Sequence, residues 1–246
     1  MIYKNHPVTI NEMAIPFLNL QPITPYDDPS AEVVDAQILV PSHPYHLDDL
    51  YISRSTIVGP HGRLTSRGLF TARALAPGRL LGFFTGHMIH NDAYESFSPE
   101  IQETLGEYAA SMETADYTVS PIDPSNVSVG VDMLLHPLAI ANEPSHGNKA
   151  NVFAESRLLD AGDAQFACIC MFACVTIAAG GELCWSYGDG FRRRGYAGGD
   201  DCDRPSRPDN PLEMLRLSRM HPSFPFVAVH VEDRISSESS GDEYQP

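Results

Sequence analysis

The chain has 246 residues, 43% of them hydrophobic, and a formal net charge of −16. This composition is typical of a globular domain with a sizeable core, and no apolar run reaches the roughly 18 residues that cross a bilayer. The N-terminus lacks a signal-peptide pattern, so we expect an intracellular protein. The acidic excess disfavours nucleic-acid binding through a basic face and favours a cationic protein partner, although it is also explained by solubility alone.

Short apolar segments dominate the sequence after an N-terminal stretch that differs in composition. Residues 1–50 are rich in proline and acidic residues, and we interpret them as an N-terminal extension with one strand, VVDAQILV. Over residues 51–191, glycine and proline separate short segments: YISRSTIV, RGLFTARAL, RLLGFFTGHMI, YTVSPI, VSVGVDM, AQFACICMFACVTI and ELCWSYG. Short strands between turn signals predict a mostly β domain with a few helices.

One helix is predicted inside this β pattern, in SPEIQETLGEYAASM. Ser98 is a suitable N-cap, and Pro99 suits the first turn. Apolar residues recur at helical spacing along the segment, at Ile101, Leu105, Tyr108 and Met112.

The C-terminal part is predicted to close the domain. Residues 192–231 contain a second helical segment, NPLEMLRLSRM, with Asn210 as cap and Pro211 at its start, and a candidate strand, FPFVAVHV. Residues 232–246 are acidic and rich in serine, and are predicted to be disordered.

Five cysteines, most of them within 168–184, argue against a secreted disulfide framework. The run CICMFAC and ten histidines suggest a zinc module as an alternative. However, Cys168 and Cys170 alternate with large apolar residues as in a buried strand, whereas zinc ligands converge from turns. We therefore predict no metal site.

The stretch IANEPSHGNKANV, residues 140–152, places amides directly after the apolar run VDMLLHPLA. Buried amides are costly unless they are hydrogen-bonded. The stretch is therefore either an exposed turn built by Pro144, Gly147 and Asn148, or a place where amides hold something.

Four motifs occur in order over about 53–191, and together they resemble the SET-domain protein lysine methyltransferases. The family's Gly-x-Gly followed by an apolar pair is similar to Ser66 through Phe70, and its Gly-x-x-x-Gly-x-Tyr-x-Gly strand to Gly78 through Gly86. Its Asn-His-Ser-x-x-Pro-Asn motif resembles Asn142 through Val152. Its Gly-Glu-Glu-Leu-x-x-Asp-Tyr-Gly ending resembles Gly180 through Gly188.

The resemblance implies a SET-domain fold, a β-clip with a pseudoknot, in which Asn142 and Asn151 lie at a threaded crossing beside bound S-adenosylmethionine. Cofactor contacts are then expected from Arg67, Gly68, Leu69, Asn142 and Glu143, with Phe191 or Tyr196 over the adenine. Tyr187 is the expected catalytic residue, and the substrate channel is expected to be lined by Phe84, Tyr117 and Trp185.

The implied activity is S-adenosylmethionine-dependent methylation of lysine in a basic protein such as a histone tail, which suggests a nuclear or chromatin-associated protein. Departures from the family pattern support an alternative, a catalytically inert SET fold that binds a basic partner. These departures are Glu143, where the family has histidine, and Ser66, where it has glycine. Phe84 stands where tyrosine is usual and lacks the hydroxyl that helps to set how many methyl groups are added.

Overall fold

The computed structural model describes residues 37–40, 42–57, 67–160, 165–189, 191, 193, 198–219 and 228–229. Ser66, Tyr196, most of the N-terminal extension and the acidic tail 232–246 lie outside the described residues. The predicted domain boundaries therefore stay predictions.

Short strands in three sheets make up most of the regular structure in these residues, as the alternation of apolar segments and turns predicted. The strands are β1 (Ile38–Leu39), β2 (Leu50–Ser53), β3 (Gly68–Thr71), β4 (Leu80–Phe84), β5 (His87–His90), β6 (Ala110–Ser111), β7 (Tyr117–Ser120), β8 (Val152–Asp160), β9 (Gln165–Ala173) and β10 (Ala228–Val229). Antiparallel pairing gives the orders β1-β2-β3, β10-β9-β4 and β5-β7-β6, and β8 pairs along the length of β9.

Three α-helices accompany the sheets in the described residues: α1 (Asn91–Glu95), α2 (Pro99–Gly106) and α3 (Leu212–Arg219). Short 3₁₀-helices lie at Val127–Val129 and Pro137–Ile140. The predicted cap of α2 is confirmed, because the Ser98 side chain accepts a hydrogen bond from the Ile101 N–H. The helix ends earlier than its apolar spacing suggested. Beyond Gly106, Tyr108 is 37% exposed. Met112 is buried outside the helix, and its N–H donates a hydrogen bond to the Tyr117 carbonyl.

The core is centred on β4 and β9, which pair with each other and are almost wholly buried. Cys168 and Cys170 are fully buried there, as expected for small apolar side chains in a strand. A disulfide joins Cys174 to Cys202, which ties the end of β9 to the C-terminal segment. The described residues contain no group of three or more potential metal ligands, and no helix among them is long and apolar enough to cross a membrane.

The C-terminal segment docks on the turn between β3 and β4. Gly78 has φ +85°, and a Cβ added there would lie 3.1 Å from the Arg207 carbonyl carbon, so this approach requires glycine. The Asp209 N–H donates to the Gly78 carbonyl, and its carboxylate accepts from the Leu80 N–H. Further along, α3 buries Leu215 in the core. The segment after the four motifs is therefore part of the folded domain.

Candidate functional site

The segment 182–185 passes between two other parts of the chain. On one side, the Trp185 N–H donates to the Asn142 carbonyl at 3.0 Å. On the other, the Cys184 carbonyl accepts from the N–H groups of Asn151 and Val152 at 3.0 and 2.9 Å. Because residues 143–150 connect these two flanks, the segment threads beside the loop that the amide-rich stretch forms. We call this arrangement the crossing.

Asn151 stabilises the crossing through hydrogen bonds from both polar atoms of its amide. Its Nδ2 donates to the Glu182 carbonyl at 2.7 Å, and its Oδ1 accepts from the Cys184 N–H at 2.8 Å. The amide thus hydrogen-bonds main-chain groups at a part-buried position, which explains how an amide is tolerated there. Its role in the structure is to hold the chain itself, and both of its polar atoms are occupied.

Asn142 holds the segment that precedes β3. Its Nδ2 lies 2.8 Å from the Arg67 carbonyl oxygen and 3.0 Å from Glu182 Oε1. Gly68 fits tightly beside them, since a Cβ added there would lie 2.8 Å from the Glu182 carboxyl carbon and 3.1 Å from Asn142 Nδ2. The main chain at residues 67 and 68 is therefore fixed against the crossing. That Arg67, Gly68 and Asn142 contact the cofactor stays a prediction.

The Glu182 carboxylate joins this arrangement to a further segment. It accepts hydrogen bonds from the Ser55 hydroxyl at 2.6 Å, the Thr56 N–H at 2.8 Å and the Thr56 hydroxyl at 2.6 Å. Glu182 is only 9% exposed, and multiple donors compensate for burial of its charge. One carboxylate thus organises three separate stretches, 55–56, 67–68 and 142.

Tyr187 and Trp185 share one main-chain acceptor at the crossing. The Tyr187 hydroxyl and the Trp185 indole N–H each donate to the Ala141 carbonyl at 3.1 Å. Their rings meet edge to face with centroids 5.4 Å apart, and Phe84 lies 5.8 Å from Trp185. On the other side, Phe191 lies 4.7 Å from Tyr187. Four of the predicted site aromatics therefore form one contiguous group, which we call the aromatic cluster.

Glu143, which stands where the family has histidine, has its side chain engaged with protein groups. Its side chain is 2% exposed and forms an ion pair with Arg193, whose Nε lies 2.9 Å from Glu143 Oε2. A second bond joins Arg193 Nη2 to Glu143 Oε1, and the same oxygen accepts from the Tyr187 N–H at 3.2 Å. The carboxylate is committed to protein groups, so any cofactor contact of Glu143 falls to its main chain.

The remaining predicted residues have different positions. Leu69 is fully buried in β3, and its carbonyl accepts a hydrogen bond from the Leu183 N–H. Tyr117 lies in β7, with its ring edge-to-face against His90 at 5.4 Å. No ring contact among the described residues joins Tyr117 to the aromatic cluster.

Ser55, Thr56, Arg193 and the Ala141 carbonyl were not predicted from the sequence. Ser55 and Thr56 act on Glu182 from more than 120 residues away, and Arg193 lies 50 residues from Glu143. Such pairs leave no local spacing pattern. The only available signal was chemical: Glu143 and Glu182 fall in motifs that resembled a buried crossing, and a buried carboxylate requires donors.

No protein-family model matches the sequence, and no curated protein matches it. Among solved structures, the crystal structure of a Plasmodium falciparum protein named "putative histone methyltransferase" is similar at 15% sequence identity and a TM-score of 0.36. The match covers 58% of this chain and 96% of the other chain. At these values the likeness carries no argument about activity, which must come from the residues of this chain.

Proposed function

We propose that the protein is an S-adenosylmethionine-dependent protein lysine N-methyltransferase of the SET type, acting on a basic protein such as a histone tail. The observation that supports this best is the position of Tyr187. Its hydroxyl is bonded to Ala141, and the next residue, Asn142, is bonded to Arg67 beside Gly68. Three of the motifs that resemble the family therefore meet at one point, although they are far apart in the sequence.

The residues at this point fit the proposed cofactor. Fixed main-chain groups around Arg67, Gly68 and Asn142 suit the ammonium and carboxylate of an amino acid, which need donors and acceptors in set positions. The Phe191 ring beside Tyr187 suits stacking by a purine. When bound, S-adenosylmethionine supplies a methyl group activated by a sulfonium.

Tyr187 is suited to orient an amine. Its hydroxyl proton is directed at the Ala141 carbonyl. A phenolic oxygen is an acceptor as well as a donor, which suits contact with an amine N–H or a methyl C–H. Holding the reacting groups in a fixed orientation lowers the barrier by several kcal/mol.

The aromatic cluster is suited to receive an uncharged lysine. Deprotonating a free lysine at pH 7 costs about 4.6 kcal/mol, from a difference of about 3.4 pH units. Apolar surroundings such as Phe84, Trp185 and Tyr187 disfavour the charged amine and so reduce that cost. The net charge of −16 favours approach of a lysine-rich partner before this step.

Two measurements on the full chain test the proposal. Titration calorimetry with S-adenosylmethionine should show binding, and incubation with mixed histones and methyl-labelled cofactor should label a histone. Absence of binding at hundreds of micromolar cofactor would contradict the proposal and favour the inert binding module. Binding with no labelled protein, tested also against other basic proteins, would contradict the assignment as a protein methyltransferase.

A further inference from the structure

Glu143 and Arg193 form a buried ion pair at the point where the crossing, Tyr187 and the chain after Tyr187 come together. We propose that they are a pair of positioning residues, which hold Tyr187 and Phe191 in register with the crossing. This inference rests on the proposed function for its link to methyl transfer, while its structural part can be measured independently.

The Glu143 carboxylate bonds both Tyr187 and Arg193. Glu143 Oε1 accepts from the Tyr187 N–H at 3.2 Å and from Arg193 Nη2, and Oε2 accepts from Arg193 Nε at 2.9 Å. The guanidinium presents two donors in a fixed fork, so the pair fixes an orientation as well as a distance. A lone point charge at either position would not do so.

Arg193 also contacts Phe191 and so extends this constraint to it. Its Nη1 donates to the Phe191 carbonyl at 3.5 Å, and its guanidinium carbon lies 6.0 Å from the centre of the Phe191 ring. Phe191 in turn lies against the Tyr187 ring at 4.7 Å. Tyr187 is thus held through its own N–H on one side and through the Phe191 ring on the other.

Gly198, further along the chain, packs against the ion pair. Gly198 forms a bridge with Ser145, and a Cβ added to Gly198 would lie 2.6 Å from the Glu143 carboxyl carbon. The Glu143 side chain is 2% exposed and that of Arg193 is 20% exposed. Water therefore has little access to replace a lost partner, and loss of either charge leaves the other buried and unpaired.

The chain's single tryptophan makes the inference testable without activity. Trp185 touches Tyr187 and bonds to the same Ala141 carbonyl. We would compare acrylamide quenching of Trp185 fluorescence in the wild type, Glu143→Gln, Arg193→Gln and the double variant. Each single variant should increase quenching, and the double variant, which leaves no unpaired charge, should return toward the wild-type value. Glu213→Gln, in the exposed pair with Arg216, is the matched control and should change nothing.

Kinetics give the second readout. Each single variant should lower kcat by about 100-fold, because a small misplacement of Tyr187 is enough to slow methyl transfer by that factor. KM for the protein substrate should change little. If a single variant fails to fold, Arg193→Lys, which keeps the charge but not the fork, should show the same two effects more weakly. Unchanged quenching in folded single variants or in Arg193→Lys would overturn the inference. A wild type with no methyl transfer but with these quenching changes would overturn the proposed function alone.

Discussion

The hydroxyl of Tyr187 and the main-chain carbonyl of Ala141 lie 3.1 Å apart, and the hydroxyl donates the hydrogen bond. This bond sets the ring beside Asn142, the residue that holds Arg67 and contacts Glu182. The phenolic oxygen is therefore fixed with respect to both the aromatic cluster and the segment before β3.

Tyr187→Phe should separate catalysis from folding. The ring contacts with Trp185 and Phe191 remain, while the oxygen that we propose orients the amine is lost. We expect methyl transfer to fall by at least about 100-fold, and the free energy of unfolding to fall by only about 1 kcal/mol. Labelling assays and urea unfolding measure the two effects, and S-adenosylmethionine affinity should be unchanged.

Tyr108→Phe is the matched control for this substitution. Tyr108 follows α2, is 37% exposed and lies outside the site, so loss of its hydroxyl should leave methyl transfer unchanged. Equal labelling by the wild type and Tyr187→Phe would show that the Tyr187 hydroxyl has no part in the reaction.

Glu182→Gln should destabilise the site because every partner of this carboxylate is a donor. Ser55, Thr56 and Asn142 together direct four hydrogen bonds at its two oxygens. A glutamine NH₂ group would face donors and leave at least one buried group unsatisfied. We expect a loss of about 1–3 kcal/mol in the free energy of unfolding, measured by urea denaturation.

Glu107→Gln offers a comparison of the same chemical change at an exposed position, the C-cap of α2. It should alter stability by less than about 0.5 kcal/mol. If Glu182→Gln and Glu107→Gln had the same effect, the donor network around Glu182 would contribute little to stability.

The local features of the fold could be predicted from the sequence because interactions between residues close in the chain determine them. Ser98 caps α2, Asn210 accepts from the Leu212 N–H at the start of α3, and glycine occupies the positive-φ turn at residue 78. The mostly β character followed in the same way from short apolar segments between turn residues. The end of α2 could not be predicted in this way, since the helix ends at Gly106 while apolar residues continue at helical spacing.

The candidate site could be predicted from the sequence only in outline. The motifs placed Asn142, Tyr187 and Gly68 in a common neighbourhood, but they did not predict what the buried carboxylates do. Glu143 looked like a disruptive substitution, and in the structure Arg193 compensates its charge from 50 residues away. Such compensation depends on three-dimensional proximity that no spacing in one sequence expresses, and the same is true of Ser55 and Thr56.

Acid should weaken the fold through His136, whose Nδ1 lies 2.9 Å from the Thr85 hydroxyl oxygen. Burial lowers the pKa of His136 to about 4, against the opposing effect of Asp132. The unfolded chain takes up a proton near pH 6.5 and the folded protein does not, so stability is complete above pH 6.5 and is lost as the pH falls toward 4. The loss should be about 2 kcal/mol.

His136→Asn tests this assignment, because an amide can still bond Thr85 but does not titrate in this range. Urea unfolding between pH 6.5 and 4.5 should show a smaller pH dependence in the variant than in the wild type. Burial also lowers the pKa of His46, so part of the dependence should remain. An identical slope in both proteins would show that His136 is not responsible.

Gly68→Ala should disturb the site by steric overlap alone. The added Cβ would lie 2.8 Å from the Glu182 carboxyl carbon and 3.1 Å from Asn142 Nδ2, both of which are held by hydrogen bonds and cannot move freely. We expect a loss of about 1–3 kcal/mol in the free energy of unfolding, together with weaker S-adenosylmethionine binding by calorimetry.

Gly106→Ala is the matched control, since its Cβ would meet only the far end of the Tyr94 side chain at 3.2 Å. Because alanine also suits a helix better than glycine, Gly106→Ala should be neutral or slightly stabilising. Equal stability and cofactor affinity in Gly68→Ala and the wild type would contradict the close approach of residue 68 to Glu182 on which the proposed cofactor site depends.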